Sequence, residues 1–219
     1  MIEAMALINA HLSELPRLSI KQTRSKRTYD CLIAAGFRLI KERDFDSITV
    51  AELTKSAGYS VGTFYTRFTS KDELFDVMVI HHLKSRISSH DKIFSTFRSA
   101  AFIDELIKDM VQYYWANRNF WRTALVRSMR DPAFWAPIRQ SGHNLATKVI
   151  ERVSELATRP LTDMEKTNVR FAFQTTLGTI NNTVLNQPGP IYMGQKLFVE
   201  KLTRAFRLVS DYDIIACIN

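Results

Sequence analysis

Residues 49–74 read TVAELTKSAGYSVGTFYTRFTSKDEL, and the punctuation of this stretch decides how the chain folds. Thr49 with Glu52 spells a T-x-x-E capping box and Ser70 with Glu73 an S-x-x-E box, so a helix begins right after each. Between them, Gly58 supplies a helix terminus able to take positive φ, and Ser60 caps a brief helix over 61–68. The stretch therefore reads helix, tight turn, helix, helix.

The faces of the first two helices differ in character. Val50, Ala51, Leu53 and Ala57 give the first an apolar underside with small residues where two helices approach closely. On the second, at 100° per residue, Val61, Phe64, Tyr65 and Phe68 fall on one side, and Gly62, Thr63, Thr66 and Arg67 on the other. Phe64 and Phe68, one turn apart, read as core. This is the arrangement of a helix-turn-helix, whose first helix braces a phosphate backbone while the second presents side chains in the major groove.

Upstream, a helix is expected over 25–43, with Tyr29, Leu32, Ile33, Gly36, Phe37 and Ile40 on one stripe and Arg38, Lys41 and Glu42 facing water. Asp44 should end it in a left-handed cap. Downstream the segments lengthen, and helices are expected at roughly 71–89, 102–117, 119–129, 132–157, 163–186 and 194–211. Asp131-Pro132 reads as a cap followed by proline at the first helical position, Thr162 with Glu165 as a further capping box, and 187–190 (QPGP) as a loop. The expected fold is all-α, about nine helices. An N-terminal extension (1–23) precedes a three-helix helix-turn-helix domain (24–72), and a larger helical bundle (73–219) follows.

Charge points the same way. The 219 residues carry a net charge of +8, and residues 21–71 hold ten basic residues against five acidic ones, an excess suited to a polyanion. Two well-separated cysteines, Cys31 and Cys217, read as reduced thiols of a cytoplasmic protein. No apolar run is long enough to span a membrane, and residues 1–12 lack the basic start and cleavage site of a secretory signal. The five histidines form no ligand pair backed by cysteine or carboxylate, so no metal and no cofactor is expected. The sequence offers no nucleophile–base motif and no glycine-rich phosphate loop, which argues against an enzyme.

The run Thr49-Val50-Ala51-Glu52-Leu53, Ala57-Gly58 and Gly62-Thr63-Phe64-Tyr65-Thr66-Arg67-Phe68-x-Ser70-Lys71-Asp72-Glu73-Leu74 resembles the signature of the TetR family of transcriptional regulators. The resemblance covers about fifty residues, from Lys26 to Leu74, and includes Leu32-Ile33-x-Ala35 and Leu39-Ile40. Gly36 departs from it where alanine is usual, and Asp44 stands in place of a common glycine. The resemblance implies a homodimer on a palindromic double-stranded operator, acting as a repressor. Val61, Gly62, Thr63, Thr66 and Arg67 would then face bases, with Arg67 able to fork onto guanine. Thr49, Tyr65 and Lys71 would hold phosphates, and Arg24, Lys26 and Arg27 would track the backbone or a minor groove. A lysine in the first turn of a helix opposes the helix dipole, which favours a phosphate partner for Lys71.

The larger domain is rich in aromatic residues, most of them packing. A bundle that answers to a small-molecule effector needs an apolar cavity with a few polar groups, and Tyr113, Trp135, His143, Thr147, Gln174 and Asn181 are the candidates to line it. An alternative keeps the DNA-binding head and makes the large domain a surface for a protein partner. The last two long helices resemble the family's dimer-forming pair. Leu177, Ile180 and Val184 in one, with Phe198, Leu202 and Phe206 in the other, give stripes for a symmetric four-helix interface.

Overall fold

Every start signal between residues 49 and 71 begins a helix in the computed structural model, which describes residues 23–216 and contains no strand among them. Its elements are α1 (Thr23–Ile40), a 3-10 turn (Phe45–Ser47), α2 (Val50–Ala57), α3 (Val61–Tyr65), α4 (Lys71–Thr96) and α5 (Phe102–Ala116). Then come α6 (Arg118–Arg130), α7 (Ala136–Leu156), α8 (Asp163–Asn186), α9 (Lys196–Val209) and α10 (Tyr212–Ile215). The described residues thus hold ten α-helices, the short α10 being one that the sequence pattern did not suggest. The expected extension 1–23 lies, but for its last residue, outside the described residues, as do the side chain of Arg24 and Cys217.

Local chemistry sets the boundaries. At Thr49 both halves of the capping box form: the hydroxyl accepts from Glu52 N at 3.2 Å, and the Glu52 carboxylate accepts from Thr49 N at 2.8 Å. The same reciprocal pair starts α8 at Thr162 and Glu165. At Ser70 only half of the box closes. Its hydroxyl caps Glu73 N, but the buried Glu73 carboxylate reaches back to Thr69, accepting from its N at 2.5 Å and its hydroxyl at 2.6 Å. Gly58 ends α2 at φ 78°, where a side chain would be strained, and Gly58 N and Tyr59 N cover the carbonyls of Lys55 and Thr54.

Four expectations need correction. Asp44 is not in a left-handed cap. Its φ of −62° and ψ of 138° are extended, α1 has already ended at Ile40, and Asp44 opens the 3-10 turn that buries Phe45. The helix expected from Pro132 begins at Ala136, because the Asp131 carboxylate accepts from Ala133 N and Phe134 N and folds 132–135 into turns. Pro137, rather than Pro132, takes the early helical position. Helix α4 continues past Ser89 to Thr96, since Ile93 and Phe94 still pack on the core and no glycine or proline interrupts it.

One continuous core runs from the head into the bundle, and aromatic rings carry much of it. Phe64 and Phe68 anchor α3 against Tyr29 of α1, with Tyr29–Phe68 centroids 5.2 Å apart. Phe45 of the 3-10 turn meets Phe75 of α4 at 4.8 Å, and Phe75 meets Phe120 of α6 at 5.1 Å. Helix α4 thus packs on α1, α5 and α7, and α6 packs against both the 3-10 turn and α8.

Candidate nucleic-acid interface

The outer face of α3 is built by what the core claims from it. Only Phe64, together with Phe68 beyond the helix end, is buried; Val61 is 42% and Tyr65 50% exposed. This corrects the expected division of faces: Val61, Gly62, Tyr65 and Thr66 look outward together, because so short a helix gives the core a single turn-spaced pair. Ser60 fixes the helix start by accepting from Thr63 N at 3.2 Å. The hydroxyls of Ser60 and Thr63 are bonded at 2.9 Å, and Thr66 donates its hydroxyl to Thr63 O at 2.7 Å. Both threonine hydroxyls are therefore held in place by partners on the same helix start.

Arg67 is half-buried just past the helix. Its Nη1 donates to Thr66 O at 3.2 Å, while its Nε is buried without a partner. Thr49 is exposed at the α2 start, with its hydroxyl donating to Glu52 Oε2 at 2.8 Å. The backbone bond from Thr49, with the Arg43 guanidinium second, holds the Glu52 carboxyl down at about 2. Lys26 and Arg27 are exposed on the first half of α1.

Lys71 sits differently from the expectation. Its ammonium donates to the carbonyls of Phe45 at 2.9 Å, Asp46 at 3.0 Å and Ile48 at 2.9 Å. All three protons of the group are engaged, and it lies 5.0 Å from the centre of the Phe45 ring. The inward carbonyl nest answers the dipole argument better than a phosphate does. Sequence reasoning missed this clasp because it rests on the unforeseen 3-10 turn.

A second site lies in the bundle. Tyr113, Trp135, His143, Thr147, Gln174 and Asn181 all line one cavity of about 770 Å³. Its deep wall is apolar, with Tyr114 stacked on Trp121 at 4.4 Å and Phe173 facing them from α8. Arg86 of α4 crosses the floor: it is ion-paired with Asp109, bonded to His90 Nε2 at 2.9 Å, and placed 3.9 Å from the centre of the Tyr113 ring. Burial, and after it the Arg86 charge, push His90 down to about 4 and its neighbour His82 down to about 3. Burial likewise raises the phenols of Tyr113 and Tyr114. Sequence reasoning missed Arg86 and His90, whose signal was only a polar residue on a long helix, and Trp121, which read as one of the packing aromatics.

The residues expected at a dimer interface face the wrong way for one. Ile180, Val184, Phe198, Leu202 and Phe206 are buried within the single chain, and Leu177 lines the cavity. The reason is packing of α8 and α9 on each other and on α5, seen in the edge contact of Phe173 with Phe206 at 5.1 Å. The apolar residues these helices leave exposed are Met164, Phe171, Leu197 and Leu208.

The family model for bacterial regulatory proteins of the tetR family matches residues 32–78, the span from α1 through the first turns of α4. Over that span the chain is similar to the TetR family. Among its relatives is the HTH-type transcriptional regulator YwcC of Bacillus subtilis, 28% identical over 106 residues that cover 46% of this chain and 48% of that one. The match thus spans about half the length of YwcC. YvdT of the same organism is 24% identical over 174 residues, covering 74% of this chain and 82% of its own. In fold, a TetR-family regulator from Mesorhizobium loti superposes with a TM-score of 0.67 at 17% identity, over 89% of this chain and 98% of its own. Among the described residues, no helix is long and apolar enough to cross a membrane, and no His/Cys/Asp/Glu group is arranged to hold a metal.

Proposed function

We propose that this chain is a TetR-family, sequence-specific DNA-binding transcriptional regulator of the cytoplasm, a homodimeric repressor that leaves its palindromic operator when a small-molecule effector enters the bundle cavity. One observation carries the reading: α3 turns Val61, Gly62, Tyr65 and Thr66 outward from a helix fixed by the Ser60 cap and the Phe64–Phe68 anchor. Gly62 lets the backbone approach a groove, and the two threonine oxygens accept from base amino groups. Lys26 and Arg27 supply phosphate contacts from α1. In this reading 24–72 and 73–219 act as two units joined through α4, and the chain catalyses no reaction.

The dimer is assigned to the outward faces of α8 and α9, where Phe171, Leu197 and Leu208 are exposed, and not to the buried stripes. The cavity favours a small effector over a protein partner, since about 770 Å³ is the size of a ligand pocket. Coupling has a short physical route. Trp121 lines the cavity from α6, and Arg127 of the same helix donates to Asp72 O at 3.0 Å and pairs with Asp76 at 2.9 Å on the first turns of α4. Helix α6 also packs on the 3-10 turn that Lys71 holds. A ligand that moves α6 therefore moves the base of the reading head. A tenfold loss of operator affinity requires about 1.4 kcal/mol of preference for the non-binding state. Titrating an effector into a gel-shift of the operator tests this: release supports the reading, and an operator complex that survives saturation contradicts it.

A further inference from the structure

The cavity in the bundle has an unbalanced lining. Three arginines (Arg86, Arg139, Arg170) and two histidines line it, and no aspartate or glutamate does. Arg86 is neutralised by Asp109 behind it. Arg139 and Arg170 are exposed at the opening and make no ion pair among the described residues. Arg139, His143 and Thr147 follow one another at single-turn spacing along α7, as do Arg170, Gln174 and Gly178 along α8, so the two helices frame the opening with one unpaired guanidinium each. Behind this rim the wall is aromatic: Tyr113, Tyr114, Trp121, Trp135 and Phe173.

An apolar body fits the wall, and the charge at the rim selects the sign of its polar end. A cationic ligand would meet like charge with no carboxylate to receive it, whereas a carboxylate meets a forked donor on either side. Resting on the reading of this cavity as an effector site, we propose that its ligand is an aromatic carboxylate, its rings in the Tyr114–Trp121–Phe173 wall and its anionic group at Arg139 and Arg170.

The test is calorimetric titration of the full chain with three probes of one shape: 2-naphthoate, neutral 2-naphthamide and cationic 2-naphthylmethylamine. The expected result is binding of the naphthoate about tenfold or more tighter than either of the others, the scale of a charge-assisted hydrogen bond. In the paired variant Arg139→Gln/Arg170→Gln that preference disappears, while naphthamide binds as before and circular dichroism shows unchanged helix content. Equal or tighter binding of the amide or the amine overturns the proposal, and so does the absence of binding by all three. Repeating the titration on the operator complex separates the two readings. Naphthoate that binds without releasing operator leaves the ligand class standing and overturns the effector role.

Discussion

The ammonium of Lys71 stands 2.9 Å from the carbonyl of Phe45, and this contact ties the first residue of α4 to the 3-10 turn between α1 and α2. Two more carbonyls, of Asp46 and Ile48, complete the nest. The head is thereby closed by one side chain at the point where the bundle begins. Replacing Lys71 with methionine keeps the stem and removes the donors, so stability should fall by roughly 1–2 kcal/mol, the low side of charged hydrogen bonds because the group is half-exposed. Urea unfolding measures this. The slope of operator affinity against log salt should stay as in the wild type, since a phosphate contact would remove about 0.9 of slope per lost lysine. A shallower slope with unchanged stability would return Lys71 to the DNA.

Gly62 separates folding from recognition. A Cβ added there meets nothing nearer than Ser60 Oγ at 3.8 Å, so Gly62→Ala should leave the fold intact and add up to about 1 kcal/mol from helix propensity. Against DNA the same methyl group stands between the helix and the groove. Operator affinity should drop by about 1–3 kcal/mol, the value of a lost readout contact. Fluorescence anisotropy beside thermal melts checks both halves, and unimpaired binding would show that α3 does not approach the bases closely at this residue.

His82 makes the protein acid-sensitive. It is buried between Phe120 at 4.2 Å, Tyr113 at 4.7 Å and Trp121 at 5.0 Å, with Arg86 nearby on the same helix and no partner on Nε2. Burial lowers its folded-state value from 6.5 to about 3, so the folded chain keeps it neutral while the unfolded chain takes up a proton below 6.5. Its contribution is intact above pH 6.5 and is lost as pH falls toward 3, amounting to roughly 2 kcal/mol at pH 5. His82→Phe retains the ring contacts and should flatten the stability difference between pH 7.5 and pH 5 by about that amount. Denaturant titrations at the two pH values would reveal it, and an unchanged difference would mean that His82 is already charged in the fold.

The two kinds of apolar residue on α8 and α9 should respond differently to charge. Leu197→Glu with Leu208→Glu places carboxylates on exposed positions, so the chain should keep its helix content and sediment as a monomer. Phe206→Glu buries a charge at a site 1% exposed and should unfold the bundle. Analytical ultracentrifugation with circular dichroism distinguishes the outcomes; a double variant that remains dimeric places the interface elsewhere.

Helix starts were legible wherever a hydroxyl and a carboxylate stood three residues apart, as at Thr49 and Thr162, because a capping box is a local contract between neighbours. The buried pair Phe64 and Phe68 and the cavity-lining set from Tyr113 to Asn181 followed from spacing and from polar residues within apolar stretches. What the sequence hid was long-range. Lys71 reaches back twenty-six residues to Phe45, and Arg127 reaches fifty-one to Asp76; neither partner bears a local mark. The stripes on α8 and α9 were correctly seen as apolar, yet periodicity alone does not say whether a stripe faces its own core or a twin.

The central claim is that α3 reads DNA, and selection of bound fragments from a random or genomic pool tests it most directly. Enrichment of a palindromic site, lost in the Gly62→Ala variant while the fold persists, is the result this account predicts. A folded chain that enriches no sequence over nonspecific DNA would contradict it.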